Sequence, residues 1–220
     1  MRAGRATKVG STMTGLFSRG PFSRTLWGRL AAPLVRVLVR LGVTANAVTV
    51  VGTIGSMAGA LLLYSQGVFF VGTLVIWGFV MLDMVDGAVA RARGGSSVFG
   101  AVLDSSLDRI VDAAVFGALL WWFAGEGDDR SMQLACLLCL VLGAMVSYIK
   151  ARAEGAGLSC NVGLVERPQR LTIALGGTGL DGLGVPYVLA VALWALVALS
   201  AVTAVQRLIE VHRQARGVSA

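Results

Sequence analysis

Apolar residues occur in six long runs separated by short polar connections. Most runs are about 20 residues long, the length a helix needs to cross the hydrocarbon core of a bilayer; they lie near residues 47–65, 68–91, 98–124, 131–153, 167–180 and 185–209. The fifth run is shorter and contains Gly176, Gly177 and Gly179. The pattern predicts an all-α integral membrane protein with six transmembrane helices.

The segment before these runs has a different pattern. Residues 1–20 are polar and basic, which is typical of disordered chain. In residues 21–42, apolar side chains recur at helical spacing, while Arg29, Arg36 and Arg40 interrupt them on other faces. This predicts an N-terminal amphipathic helix lying in the membrane interface. The alternative is a solvated helix that packs on the rest of the protein.

Composition supports the membrane assignment. The chain has 220 residues, of which 56% are hydrophobic and 14% charged, and its mean hydropathy is +0.77. A soluble domain has about 25% charged residues. We therefore expect one membrane domain over residues 43–210, a basic tail over residues 211–220, and no secretory signal peptide.

The net charge of +7 is unevenly distributed. Basic residues are frequent before Val43, whereas the first acidic residue is Asp83. A nucleic-acid-binding arm would not lead into so long an apolar domain, so no nucleic-acid partner is expected. The positive charge predicts a cytoplasmic N-terminus, and six spans return the C-terminus to the same side. The expected location is the cell membrane.

Four aspartates lie where the second and third runs approach the cytoplasmic side. Asp83 and Asp86 are near the end of the second run, and Asp104 and Asp108 follow in the third, about 6 Å apart along a helix. The short connection predicts antiparallel neighbouring helices, so the two pairs should face each other. Carboxylates at this spacing need cations between them. Hard oxygen ligands favour two Mg²⁺ ions, with Mn²⁺ as a substitute.

Two alternatives use the same aspartates differently. A structural ion-pair network with Arg91, Arg93 and Arg109 would leave a surplus of charge on one face. A divalent-cation transporter would show repeat symmetry and a site near the midplane of the membrane. The aspartates are instead expected near the cytoplasmic edge, which would make the active site cytoplasmic. The sequence also has no visible repeat.

The spacing of these residues resembles the signature of the CDP-alcohol phosphotransferase family. The matching positions are Asp83, Asp86, Gly87, Ala90, Arg91, Gly100, Asp104 and Asp108. The resemblance implies a phospholipid-synthesising transferase in which an alcohol displaces CMP from a CDP-linked lipid such as CDP-diacylglycerol. All four aspartates would be metal ligands, Asp83 and Asp104 contacting both ions and Asp86 one.

The resemblance also implies further roles. An attacking alcohol must lose its proton, and the single histidine, His212, lies in the basic tail, so a carboxylate must act as base. The resemblance assigns this role to Asp108. It places the CDP-linked lipid against Asn46, Ala47, Val48, Thr49, Gly87, Ala90, Arg91, Ser97 and Gly100. Thr44 or Asn46 would also cap the first helix.

Basic residues around the fourth, fifth and sixth runs predict an acceptor that carries a phosphate of its own. They are Lys150, Arg152, Arg167, Arg170 and Arg207. The alternative is that they are ordinary positive-inside residues that meet lipid headgroups. The stretches DSSLDRIVDA and SYIKARAE resemble those of actinobacterial family members that convert inositol 1-phosphate to phosphatidylinositol phosphate. Glycerol 3-phosphate, used in phosphatidylglycerophosphate synthesis, is the near alternative.

A homodimer is the expected assembly. The motif Gly55-x-x-x-Gly59 offers a small-residue surface for close helix contact. The family resemblance points to the same assembly.

Overall fold

The residues that the structure describes form helices joined by short non-helical connections. This structure, a computed structural model, describes residues 33, 35–92, 95 and 97–218, without the side chains of residues 83, 84, 86, 91, 92 and 218. Its longer helices are α1 Ala45–Leu63, α2 Phe69–Ala92, α3 Val98–Ala124, α4 Arg130–Gly155, α5 Arg167–Asp181 and α6 Val188–Val218. A 3₁₀ turn at Tyr64–Gln66 follows α1.

The helices lie where the apolar runs predict them, and the all-helical class is confirmed. Helices long and apolar enough to cross a membrane, within the described ranges, are Ala45–Gln66, Phe69–Ala90, Arg130–Gly155 and Val188–Gly217. Helix α3 carries aspartates in its first turns, and α5 has 15 residues, or about 22 Å against a hydrocarbon core of about 30 Å. Six spans therefore remain a prediction.

The N- and C-terminal predictions are tested only in part. Residues 35–40 are helical, whereas most of the predicted interfacial helix and all of residues 1–20 lie outside the described residues. At the other end, α6 continues through most of the predicted basic tail.

Large apolar side chains point outward as well as inward. The core contains fully buried residues such as Leu119 and Leu193. At the surface, Trp121 is 73% exposed and Val191 is 66% exposed. Extended apolar surface of this kind needs a nonaqueous environment to cover it. The outward-facing side chains and the long apolar helices identify a membrane protein.

Helix α1 packs closely on α2 through its two small residues. A methyl group added at Gly55 would meet the ring of Phe79, and one added at Gly59 would meet Val75 and Ile76. The small-residue motif therefore brings two helices together within one chain. This intrachain contact uses the face that suggested a dimer, so the homodimer remains a prediction.

The loop between α4 and α5 is attached to α6 by buried hydrogen bonds. Thr203 Oγ1 accepts the backbone N–H groups of Leu164 and Val165 at 3.1 and 3.2 Å. Arg207, which is 3% exposed, donates from Nε to the carbonyl of Val162 at 2.9 Å and from Nη1 to that of Val146 at 2.7 Å. These contacts hold the chain that leads into α5.

Thr203→Val should loosen this loop. Valine keeps the volume of threonine but leaves two backbone donors without an acceptor, which costs about 1–3 kcal/mol for each donor. We expect the thermal midpoint in detergent to fall by at least about 4 °C. Thr172→Val is the matched control, since the exposed Thr172 hydroxyl donates to Pro168 within its own helix. Equal midpoints for the two variants would contradict this role of Thr203.

Candidate active site

A cavity of about 370 Å³ opens between the start of α1, the end of α2 and the start of α3. It brings together several residues that the resemblance assigns to the CDP-linked lipid: Asn46, Thr49, Gly87, Ala90, Ser97 and Gly100. Asp104 also lines it. Ala47 and Val48 are outside the lining, Ala47 being exposed and Val48 buried, and the side chain of Arg91 is outside the described part of the chain.

Helix caps shape the mouth of this cavity. Thr44 caps α1 by accepting the N–H of Ala47 at 3.2 Å, and Ser97 caps α3 by accepting that of Gly100 at 2.9 Å. Capping of α1 thus falls to Thr44, while Asn46 lines the cavity. A methyl group on Gly100 would lie 3.1 Å from both Asn46 Oδ1 and Ser97 Oγ. The absence of a side chain keeps the backbone of α3 open to a ligand.

The two helices that carry the aspartates stand on either side of the cavity. The sequence predicts antiparallel neighbouring helices; among the described residues α2 packs mainly on α1 and α5, and α3 on α1 and α4. The cavity between the two helices is lined by small residues, Gly87 and Ala90 on one side and Gly100 and Ala101 on the other.

Two of the four predicted metal ligands have described side chains. Asp104 lines the cavity, and Asp108, one turn further along α3, has a side chain that is 18% exposed. Asp83 and Asp86 precede the cavity residues Gly87 and Ala90 by one helical turn, so the helix repeat gives them the same face.

The chemistry of these donors fits a hard divalent cation, because carboxylate oxygens are its preferred ligands. Among the side chains that are described, no three His, Cys, Asp or Glu residues form a metal-binding group. A site with four carboxylates therefore depends on Asp83 and Asp86.

A set of charged side chains, which includes Asp108, joins the first turn of α5 to α3. We call it the arginine–aspartate cluster; its members are Asp108, Arg109, Asp112, Arg167 and Arg170. Arg167 Nη1 lies 2.7 Å from Asp108 Oδ1, and Arg170 Nη2 donates to Asp112 Oδ2 at 2.6 Å. Weaker contacts reach Asp112 from Arg167 Nε at 3.6 Å and from Arg109 Nη2 at 3.7 Å.

The centre of the cluster is deeply buried, its members Asp108, Arg109 and Arg167 are partly exposed, and the cluster carries a surplus of positive charge. Arg170 is 1% exposed and Asp112 is 6% exposed. Three arginines accompany two aspartates. The Nε–H donors of Arg109, Arg167 and Arg170 are buried and have no hydrogen-bond acceptor within the described part of the chain, and Asp112 Oδ1 is likewise buried without a donor. Three unpaired donors against one unpaired acceptor favour an anion as ligand.

Asp112 is a member of this cluster that the sequence reasoning missed, whereas Arg109 was named there only as part of the structural ion-pair alternative. Asp112 follows Asp108 by one turn and so continues the stripe of Asp104 and Asp108 along α3. That spacing is a usable signal for Asp112. Its partner Arg170 is 58 positions away in the chain, which no local pattern connects to it.

The remaining predicted acceptor residues do not join the cluster. Arg207 is buried against carbonyl groups of Val146 and Val162. Lys150 lies 3.9 Å from Glu154 on the same helix, and Arg152 is exposed. The structure therefore separates the five predicted cations into Arg167 and Arg170 beside Asp108 and Asp112, a buried arginine under the α4–α5 loop, and two residues nearer the surface.

Comparison with known proteins gives consistent matches. The model of the CDP-alcohol phosphatidyltransferase family matches residues 42–206. A phosphatidylinositol phosphate synthase of Mycobacterium marinum is 50% identical over 195 residues, which cover 87% of this chain and 83% of the relative. One of Streptomyces avermitilis is 43% identical over 213 residues, which cover 94% and 85%.

Solved structures match as well. The crystal structure of Mycobacterium tuberculosis phosphatidylinositol phosphate synthase with CDP-DAG bound has a TM-score of 0.80 at 49% identity, covering 83% of this chain and 94% of that one. The same enzyme in complex with manganese and citrate has a TM-score of 0.79 at 49% identity, covering 81% and 87%.

Proposed function

The chain belongs to the CDP-alcohol phosphatidyltransferase family, and on that premise we propose that it transfers the phosphatidyl group of CDP-diacylglycerol to inositol 1-phosphate. The products are CMP and phosphatidylinositol phosphate. The relatives that match along most of this chain are phosphatidylinositol phosphate synthases, and one related structure holds CDP-DAG. These relatives give no support to the alternative of a divalent-cation transporter.

The observation that carries the choice of acceptor is the position of Arg167 and Arg170. Both arginines lie beside aspartates of α3: Arg167 is 2.7 Å from Asp108, and Arg170 is 2.6 Å from Asp112. A phosphorylated alcohol bound by these guanidinium groups would bring its hydroxyl near Asp108. A neutral alcohol would leave the surplus positive charge of the cluster without a counterion.

In the proposed reaction, Asp108 accepts the proton of the attacking hydroxyl. The oxygen of that hydroxyl forms a bond to the phosphorus that carries diacylglycerol, and the bond from this phosphorus to the oxygen of CMP breaks. The bonding electrons leave with CMP. One oxygen of Asp108, Oδ1, forms an ion pair with Arg167 Nη1 at 2.7 Å, an arrangement that orients the carboxylate.

Divalent cations are used by this family, and a related structure contains manganese. We assign Asp83, Asp86, Asp104 and Asp108 as the residues that would hold two Mg²⁺ ions, Mn²⁺ being a substitute. When bound, such ions neutralise the pyrophosphate and the charge that develops on departing CMP. The oxygen donors of Asp104 and Asp108 support this assignment.

The cavity is the proposed site for the cytidine end of CDP-diacylglycerol. Six of its lining residues belong to the predicted set, and Ala47, Val48 and Arg91 complete that set as predictions. Arg167 and Arg170 are the proposed ligands of the acceptor phosphate. Lys150, Arg152 and Arg207 remain predicted members of the acceptor site.

The arrangement in the membrane follows from the same proposal. Six spans would place both termini and the aspartates on the cytoplasmic side, with residues 43–210 as the catalytic domain, residues 21–42 as an interfacial helix and residues 211–220 as a tail. Positive charge before Val43 and near the C-terminus supports this orientation. A homodimer is proposed on the family resemblance.

The deciding experiment compares acceptors directly. Purified protein in detergent is given CDP-diacylglycerol and Mg²⁺ with inositol 1-phosphate, glycerol 3-phosphate, free inositol or serine, and CMP release is measured. We expect inositol 1-phosphate to react fastest. Preference for glycerol 3-phosphate would make the chain a phosphatidylglycerophosphate synthase, and preference for free inositol would contradict an anionic acceptor.

Gly100→Ala should weaken the binding of CDP-diacylglycerol. The added methyl group would crowd Asn46 and Ser97 at 3.1 Å, and overpacking of this kind costs about 1–3 kcal/mol. We expect the KM for CDP-diacylglycerol to rise about tenfold, with the KM for the acceptor unchanged. Gly117→Ala on the same helix is the control, because its methyl would meet nothing within 4 Å. Equal kinetics for the two variants would remove Gly100 from the lipid site.

Metal binding gives an independent check. Titration of the metal-free protein with Mn²⁺, followed by electron paramagnetic resonance, should show two ions per chain whose spins couple, as expected for ions roughly 4 Å apart. Asp104→Asn should reduce this number, since an amide is a weaker ligand than a carboxylate. A single uncoupled ion in the unmodified protein would contradict the two-ion site.

A further inference from the structure

The buried carboxylate of Asp112 has no part in the reaction as proposed above, yet it is the centre of the arginine–aspartate cluster. It receives the shortest contact of the cluster, 2.6 Å from Arg170, and it also faces Arg167 and Arg109 at 3.6 and 3.7 Å. A carboxylate that is 6% exposed is stable in its charged form only with such partners.

Arg170 is held from two sides. Its Nη2 is bound to Asp112 on α3, while its Nε and Cζ lie against α4 at Gly143, where an added methyl group would come within 3.1 Å of both atoms. The guanidinium group therefore occupies a slot between a carboxylate and a bare stretch of helix backbone. Its Nε–H remains buried without an acceptor within the described part of the chain.

We propose that Asp112 is a positioning residue of the acceptor site, which fixes Arg170 and Arg167 beside Asp108 so that they bind the phosphate of the acceptor. This inference rests on the proposed function. It adds a residue outside the aspartate signature and gives Gly143 a role in the same site, as the surface that admits the Arg170 guanidinium.

Charge balance supports the phosphate as the ligand. Asp108 and Asp112 leave one positive charge of the three arginines uncompensated. When Asp108 serves as a metal ligand, Asp112 alone offsets the three arginines. The cluster then has two uncompensated positive charges. A phosphate monoester carries about −1.5 to −2 at neutral pH, so it matches the charge that the cluster then presents.

Two substitutions of Asp112 separate charge from packing. Asp112→Asn keeps the volume and loses the charge, whereas Asp112→Glu keeps the charge on a longer side chain. We expect Asp112→Asn to raise the KM for inositol 1-phosphate by about 10–100-fold while the KM for CDP-diacylglycerol stays unchanged. Asp112→Glu should retain more of the acceptor affinity. The reverse order, with Asn better than Glu, would assign Asp112 to packing and overturn the proposal.

Gly143→Ala tests the same site without removing a charged group. It tests the placement of the Arg170 guanidinium group even if Asp112→Asn does not fold. Its methyl group should displace the Arg170 guanidinium and raise the acceptor KM alone. Gly176→Ala is the matched control, since its methyl would meet nothing within 4 Å. An unchanged acceptor KM for Gly143→Ala would overturn the proposal.

Protection against thermal unfolding provides a readout that does not depend on turnover. Inositol 1-phosphate should raise the thermal midpoint of the unmodified protein and of Gly176→Ala, but should raise it less in Asp112→Asn and Gly143→Ala. Failure of the unmodified protein to release CMP with inositol 1-phosphate would defeat the proposed function. Normal turnover together with equal protection of all four proteins would defeat only the role of Asp112.

Discussion

Asp108→Asn is expected to lower the rate of CMP release by about 10³-fold, within the range that a general base contributes. Asparagine has nearly the same shape but cannot accept the proton of the attacking hydroxyl, and its amide is a poor ligand for a divalent cation. The cavity formed by α1, α2 and the start of α3 does not include Asp108. Binding of CDP-diacylglycerol should therefore be largely retained.

This prediction needs two measurements on the same protein. CMP release under single-turnover conditions reports the chemical step, and equilibrium binding of CDP-diacylglycerol reports the cavity. Asp129→Asn is the control, because Asp129 caps α4 by accepting the N–H of Ser131 at 2.9 Å, a role that asparagine also fills. Substantial turnover by Asp108→Asn would remove Asp108 as the base.

Metal binding by Asp108→Asn then distinguishes its two roles. If the variant still binds two Mn²⁺ ions, the lost rate belongs to proton transfer. If one ion is lost as well, Asp108 contributes as a ligand too. In both cases Arg167 loses the charged partner that lies 2.7 Å away, so the KM for the acceptor should also be measured.

Arg170→Ala is expected to have the second largest effect. A charge-assisted hydrogen bond contributes about 1.5–3 kcal/mol, so its loss should raise the KM for inositol 1-phosphate by about 10–100-fold. The KM for CDP-diacylglycerol should change much less, since Arg170 does not line the cavity. Equal increases in both constants would move Arg170 out of the acceptor site.

The same variant should be less stable. Truncation leaves Asp112 buried without its partner at 2.6 Å, and breaking a buried ion pair costs about 3–5 kcal/mol. Arg167 and Arg109 remain near Asp112, so we expect a loss near the lower end of this range. Arg213→Ala is the control for the thermal midpoint and for both KM values, because the Arg213 side chain is 77% exposed.

Family relationship is the reason that much of the site was predictable. The aspartates of α3 follow a spacing of four residues, and a helix brings such positions onto one face whatever surrounds it. Several residues of the cavity also belong to that local pattern, with Gly87, Ala90 and Gly100 among those that line it. Metal use and the transfer from a CDP-linked lipid follow from the same signature.

The relation between the two aspartate-bearing helices was predictable only in part. A short connection makes them consecutive and reverses the chain direction. Among the described residues, however, α2 packs mainly on α1 and α5 and α3 packs mainly on α1 and α4, and this packing depends on residues far apart in the chain. Spacing alone also left the capping of α1 open between Thr44 and Asn46, which the geometry of the first turn assigns to Thr44.

The positions of the helices and the aspartate signature could be predicted from the sequence, because both depend on intervals of a few residues along one chain. Apolar length predicts a helix, and the helical repeat predicts which carboxylates share a face. The partners of the arginines, in contrast, depend on the tertiary structure. Arg170 reaches Asp112, whereas Arg207 reaches the carbonyl groups of Val146 and Val162. Long flexible side chains take partners according to helix packing, and that packing brings together residues far apart in the chain.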